Sequence, residues 1–138
     1  MSETVFSKIL KGEIPSYKVY EDEYTYAFLD ISQVSKGHTL VIPKTAAADM
    51  LSIAPSALQH VITSVQKVAK AVDKAFQPDG INVIQNNRAY ADQSVFHLHF
   101  HIIPRYKDDI DGFGYIWETH PDTLDMESLK TNIANAIE

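Results

Sequence analysis

The apolar positions of this chain follow two rhythms. From 55 to 76, Leu58, Val61, Ile62, Val65, Val68, Ala69, Val72 and Phe76 recur every three or four residues, the period of one face of an α-helix. Pro55 suits the start of that helix, and Pro78-Asp79-Gly80 lies just beyond its end. Residues 3–11 put Phe6, Ile9 and Leu10 on one side of a short helix stopped by Gly12. Residues 125–137 do the same with Met126, Leu129, Ile133 and Ile137. The second rhythm belongs to strands. Residues 17–21 and 24–30 read as a hairpin about Asp22-Glu23, 38–43 as a third strand ended by Pro43, 81–86 as a fourth and 96–103 as a fifth. Residues 14–16 form a turn, 87–94 a polar loop, and 108–121 carry no clear period. Strands first, one long helix, more strands and a last helix predict an α+β fold with a five-stranded, mostly antiparallel sheet. One long helix covers only one face of such a sheet. The other face is left to the residues that alternate with Leu98, Phe100 and Ile102.

Those residues are His97, His99 and His101. On a strand, side chains two apart leave the same face, so 96–103 predicts three imidazoles pointing one way. Histidine titrates near neutrality, which makes such a row metal-binding or proton-transfer and nucleophilic machinery. Three separately hydrogen-bonded structural histidines are the plainest alternative. A metal site would use His-x-His as two ligands, with His38, His60 or His120 as further donors, but no carboxylate lies within the strand. The third reading is a nucleophilic imidazole tuned by its neighbours.

Composition narrows the classes. At 138 residues the chain is expected to form one domain, 1–138. A formal net charge of −6 disfavours a broad nucleic-acid or anionic membrane surface, though not a small anionic ligand. There is no cysteine, hence no disulfide and no thiolate ligand. No apolar run approaches the length of a membrane span, and no signal-peptide pattern opens the chain, so a cytoplasmic protein is expected.

The surroundings of the histidines decide among the three readings. Ser94-Val-Phe-His-Leu-His-Phe-His-Ile-Ile-Pro-Arg105 resembles the signature of the histidine triad (HIT) family, in which three histidines alternate with apolar residues. Phe6-x-Lys-Ile, Gly12-Glu-Ile-Pro15, Val19-Tyr-Glu-Asp22, Ala27-Phe-Leu-Asp-Ile31 and Gly37-His-Thr-Leu-Val-Ile-Pro-Lys44 resemble the ordered blocks of its Hint-type branch. Asp111-Gly-Phe-Gly114 and Trp117-x-Thr-His120 are similar to bacterial members. The resemblance runs from about residue 5 to about 120. It implies a HIT core over about 5–107, a C-terminal extension over about 108–138, and a purine-nucleotide hydrolase that cleaves at the α-phosphate and needs no cofactor.

The resemblance also implies site residues. His99 matches the nucleophile, which forms a covalent nucleotidyl-imidazole. His97 and His101 would flank the phosphate as protonated rings or proton relays, and His38 matches a fourth histidine linked to His97. Asp30 matches the carboxylate that accepts from the ribose hydroxyls. Phe6, Ile9, Phe28 and Ile31 match the apolar base slot, which discriminates purines such as AMP and GMP only weakly. Asn86, Asp92, Gln93 and Ser94 match the phosphate loop, alongside Asn82. Family members are typically homodimers in which the long helices pack together, with the segment holding Trp117 near the partner's site.

Two departures stand out. Arg88 and Asp92 occupy positions where the Hint-type loop has glycine, and a loop glycine often supplies positive φ or close approach. The zinc ligands of some bacterial relatives are replaced here by Thr4, Ser7 and Ala46, so no structural zinc is expected. The third triad position is histidine, which favours hydrolysis over nucleotidyl transfer. A nucleoside phosphoramidase is the leading expectation. Dinucleoside polyphosphate hydrolysis and a nucleotide-binding scaffold of weak activity stay open beside it.

Overall fold

A computed structural model describes residues 3–109, 119 and 123–138. Helix α1 (Val5–Leu10) is followed by strands β1 (Lys18–Glu21), β2 (Thr25–Leu29) and β3 (Thr39–Pro43). Then come helix α2 (Pro55–Phe76), β4 (Gly80–Gln85), β5 (Phe100–Arg105) and helix α3 (Met126–Ala136). The strands form one antiparallel sheet in the order β1-β2-β3-β5-β4. This is the expected α+β architecture. The expectations for Asp111–Gly114, Trp117 and His120 lie outside the described residues.

Local chemistry sets the ends of the helices. Thr4 and Ser7 form a reciprocal capping box that satisfies free amides at the start of α1. Helix α2 begins with Pro55 and ends where Gln77 turns left-handed, its amide donating to the Asp73 carbonyl. Val61, Val65, Val68 and Val72 bury one stripe of α2 against Ala27, Val41, Leu98, Phe100 and Ile102. The other face of the sheet packs Phe28, Leu40 and Ile42 against Phe6 of α1. Asp22 ties the β1–β2 hairpin to α2. Its carboxylate accepts from the Tyr24 and Thr25 amides and from the hydroxyls of Tyr20, Thr25 and Ser64.

The start of the last strand differs from the sequence reading, and it matters. The fifth strand begins at Phe100 rather than 96, so His97 and His99 precede it and only His101 lies on it. The cause is Pro43. Strand β5 pairs with β3 as far as Val41↔Phe100, and continuing would oppose Pro43 to Leu98, where proline has no amide to donate. Strand β4 offers no continuation either, since its last pair is Gln85↔Phe100. Instead the Leu98 amide donates to the Ala47 carbonyl at 2.8 Å. The expected division of faces survives: Leu98, Phe100 and Ile102 join the core beneath α2.

Candidate active site

On the α1 side of the sheet lies a cavity of about 260 Å³. Phe6, Ile9, Phe28 and Leu40 contribute apolar lining, while Asp30, Ser94, His99 and His101 contribute polar groups. The Phe6 ring sits edge-on to Phe28 and to His99, with centroids 5.4 and 5.0 Å apart. Residues from α1, β2, β3 and the start of β5 therefore converge on one hollow.

Every histidine here has a defined partner. The His97 ring donates from Nε2 to the Pro43 carbonyl at 2.8 Å, using the oxygen that the interrupted ladder leaves over. His99 donates from Nδ1 to the His97 carbonyl at 2.8 Å. A neutral imidazole carries one N–H, so His99 keeps an unshared electron pair on Nε2. His101 has the opposite polarity. The Val34 amide donates to Nδ1 of His38 at 3.2 Å, and Nε2 of His38 faces Nδ1 of His101 at 3.0 Å. With Nδ1 accepting, neutral His38 carries its hydrogen on Nε2 and donates it to His101, whose own hydrogen then sits on Nε2. These tautomers are assigned from the hydrogen-bond partners. One triad ring thus offers a lone pair and its neighbour an N–H, with ring centroids 5.0 Å apart.

The site favours neutral rings. Burial pushes His97, His99 and His38 below the ordinary histidine range, against the Pro43 carbonyl, the His97 carbonyl and the Asp30 charge respectively. The Ser32 carbonyl also draws on the His38 ring, but the Val34 amide is the group aligned on Nδ1. His101 falls to about 4, through burial first and then through His99 and His38. Without a bound anion, burial therefore favours neutral rings at His97 and His101, each with one N–H to donate.

Asp30 is held in place. Its Oδ1 accepts from the Ser32 amide at 2.8 Å and its Oδ2 lies 3.6 Å from Nε2 of His38. The loop behind it is braced by Gln33, whose carboxamide accepts from the Gly37 and His38 amides and donates to the Asp30 and His38 carbonyls. Among the described residues Asp30, His38 and His101 bring three metal-ligand atoms within 4.8 Å of one another. The chemistry does not suit a cation there. The His38 nitrogen that would bind it carries the hydrogen that the Val34 amide imposes.

The HIT domain family model matches residues 11–108. A curated relative, protein hit of Bacillus subtilis, is 50% identical over 133 residues, covering 96% of this chain and 90% of its own. The chain belongs to the HIT family. It is also similar to the adenosine 5'-monophosphoramidase of Schizosaccharomyces pombe, at 44% identity over 91% of this chain and 90% of that protein. A crystal structure of a HIT family member from Bacillus subtilis superposes with a TM-score of 0.93 at 46% identity, covering 99% of each chain.

The HIT resemblance named fourteen site residues, and the cavity gathers eight of them: Phe6, Ile9, Phe28, Asp30, Ile31, Ser94, His99 and His101. Ile31 stands only at the rim, 85% exposed. His97 and His38 are buried behind the lining. The link expected between these two is corrected, because His38 bonds to His101. In register, His38 lies opposite residue 103, as the neighbouring pairs Thr39↔Ile102 and Leu40↔His101 show. His97 is six residues farther along, beyond the point where β5 begins. Asn86, Asp92 and Gln93 do not line the cavity. Asn82 faces elsewhere, accepting from the Arg105 guanidinium. Arg88 and Asp92 both take the positive φ that glycine would supply, 77° and 69°. The sequence reading missed Val34, Leu40 and Pro43. Alternation along β3 signals Leu40, which shares a face with Ile42, whereas a backbone amide or carbonyl leaves no mark in a sequence.

Proposed function

We propose that this HIT protein is a hydrolase that cleaves purine nucleoside phosphoramidates, or related nucleotide esters, at the α-phosphate through a covalent nucleotidyl-His99. The observation that carries this reading is the pairing of opposite polarities on one hollow, a lone pair on His99 beside an N–H on His101. Nε2 of His99 attacks phosphorus, and its Nδ1–H remains held by the His97 carbonyl as positive charge develops on the ring. The P–N bond to the leaving amine breaks as that nitrogen, held by the Nε2–H of His101, takes up a proton from solvent. His38, whose Nε2–H points at Nδ1 of His101, keeps the hydrogen of that ring on the side of the leaving group. Water then breaks the bond between phosphorus and His99, releasing the mononucleotide and returning one proton to solvent.

The rest of the lining fits a nucleoside. Asp30 is an acceptor without a donor, suited to a ribose diol. Phe6, Ile9 and Phe28 form an apolar slot for a purine, and Ser94 offers a hydroxyl at the phosphate. The name of the Schizosaccharomyces pombe relative, adenosine 5'-monophosphoramidase, supports the substrate class. The whole chain, 1–138, acts as one HIT domain, and the protein works in the cytoplasm as a homodimer. An apolar hollow of about 410 Å³ along α2, lined by Met50, Pro55, Leu58, Ile62 and Phe100, supports pairing through that helix.

The decisive experiment is acid quenching during turnover of adenosine 5'-phosphoramidate, followed by peptide mass mapping. An AMP adduct on His99 is expected. His99→Ala should abolish turnover while keeping AMP affinity within about tenfold, roughly 1.4 kcal/mol. Near-normal kcat in that variant would overturn the assignment. Faster turnover of diadenosine polyphosphates than of the phosphoramidate would move the proposal to that substrate class. Light scattering in solution reads the dimer directly.

A further inference from the structure

The loop between β4 and the histidine segment contains a backbone conformation that its sequence should avoid. Arg88 has φ 77° and ψ 156°, a region that essentially only glycine occupies without strain. Asp92 is left-handed, with φ 69° and ψ 24°, which aspartate tolerates better than most residues. Strain of this kind persists only where the surroundings over-determine it. At Arg88 the Ala91 amide donates to the carbonyl at 3.1 Å, and one buried residue holds both the amide and the carbonyl. Gln93, 3% exposed, accepts the Arg88 amide on Oε1 at 2.7 Å and donates its own amide to the Arg88 carbonyl at 3.1 Å. Both sides of the strained residue are therefore held by the same partner.

The remaining donors of Gln93 are also committed. Its Nε2 donates to the Ala48 carbonyl at 2.6 Å and to the Val95 carbonyl at 3.1 Å. A carboxamide has two N–H groups and one oxygen, so none of its hydrogens is left for a phosphate. The clamp reaches the site through its neighbours. Ser94 and Val95 line the cavity, and Ala47, beside Ala48, takes the Leu98 amide. Loop and histidine segment are thus anchored on adjacent carbonyls.

We propose that Gln93 is a positioning residue: its buried carboxamide holds Arg88 in the glycine-only conformation and thereby fixes Ser94 against the phosphate end of the cavity. This rests on the nucleotide hydrolase reading above for what Ser94 meets, but the clamp itself can be measured without it. Gln93→Glu keeps the acceptor while opposing a second oxygen to the Ala48 and Val95 carbonyls. Gln93→Ala removes the clamp. Gln93→Ala combined with Arg88→Gly removes the clamp together with the reason for it.

Hydrogen exchange, AMP affinity, and kcat and KM for the phosphoramidate test the proposal. In the wild-type protein the Arg88 amide should be protected from exchange, and in Gln93→Ala it should lose that protection. Because misplacement of about 1 Å can cost on the order of a hundredfold, Gln93→Ala should lose about ten- to a hundredfold in kcat/KM. Arg88→Gly in that background should restore several-fold of the loss, since glycine has less bias to leave positive φ. Because glycine relieves the strain and so adds stability by itself, kcat/KM is read per folded protein and Arg88→Gly alone serves as the control. Should Gln93→Glu fail to fold, the alanine pair decides. Wild-type kcat/KM in Gln93→Ala, or no recovery in the double variant, would overturn the proposal. A wild-type protein that ignores AMP and the phosphoramidate would sink the hydrolase reading instead. The exchange data would still judge the clamp.

Discussion

The two faces of the sheet solve different problems. Beneath α2, Val41, Leu98, Phe100 and Ile102 meet a stripe of valines, and burial of apolar surface is enough to hold them. Across the sheet, His38, His97 and His99 are as buried as many core residues, yet each is polar and must find a partner. No buried side-chain nitrogen or oxygen among the described residues lacks one. One face is stabilised by volume and the other by hydrogen-bond accounting. The second kind of order also dictates which nitrogen carries each hydrogen, so the cavity face comes out chemically polarised. Stability and reactivity should therefore come apart when each face is altered separately.

The largest stability effect belongs to the α2 face. Ile102→Ala removes a fully buried side chain and should cost about 2–5 kcal/mol, read as a lower denaturation midpoint, with kcat of the folded fraction little changed. His38→Ala should show the reverse emphasis. It strands the Val34 amide and leaves His101 free to switch tautomer, so kcat should fall about a hundredfold, the low end for a proton-transfer contribution. The loss should shrink for a substrate whose leaving group needs no proton. Equal losses for both substrates would break the link between His38 and the leaving group.

A smaller effect separates the faces by pH. The four site histidines titrate lower in the folded protein than unfolded. The unfolded chain therefore binds more protons below about pH 6.5, and stability should decline from there toward about pH 4. Asp22, held well below the carboxylate range by hydrogen bonds from Tyr24, Tyr20 and Thr25 against its burial, contributes stability above about pH 3.8 that disappears at lower pH. Melting curves across that range should show two declines, and His97→Phe should soften only the first. The smallest effect expected is none: a strong chelator should leave turnover unchanged, and a loss restored by added zinc would show that Asp30, His38 and His101 do hold a cation.

The two faces were also unequally legible. Val61, Val65, Val68 and Val72 announce the helix-covered face through their spacing, and Pro55 marks its start. Phe6, Ile9 and Phe28 were readable as a slot because the family blocks that contain them are local in sequence. The start of β5 was not, since it depends on which residue Pro43 would have opposed, and pairing is invisible along one chain. The partner of His38 was hidden for the same reason: without register, His97 and His101 are equally good neighbours on paper. The polarity of the triad lay deeper still, in amides and carbonyls that every residue shares. Arg88 shows a different limit. The sequence marked it as a departure, but only the buried carboxamide five residues later explains how the departure is tolerated.

Gly37 links the long helix to the chemistry. Its φ is 102°, and a Cβ built there would lie 2.9 Å from the Phe76 ring at the last turn of α2. Gly37 immediately precedes His38, and its amide is braced by Gln33. Any side chain at 37 would therefore have to displace the Phe76 ring or shift the backbone that aims His38, so the absence of one atom at this position lets the last turn of α2 close over the start of β3.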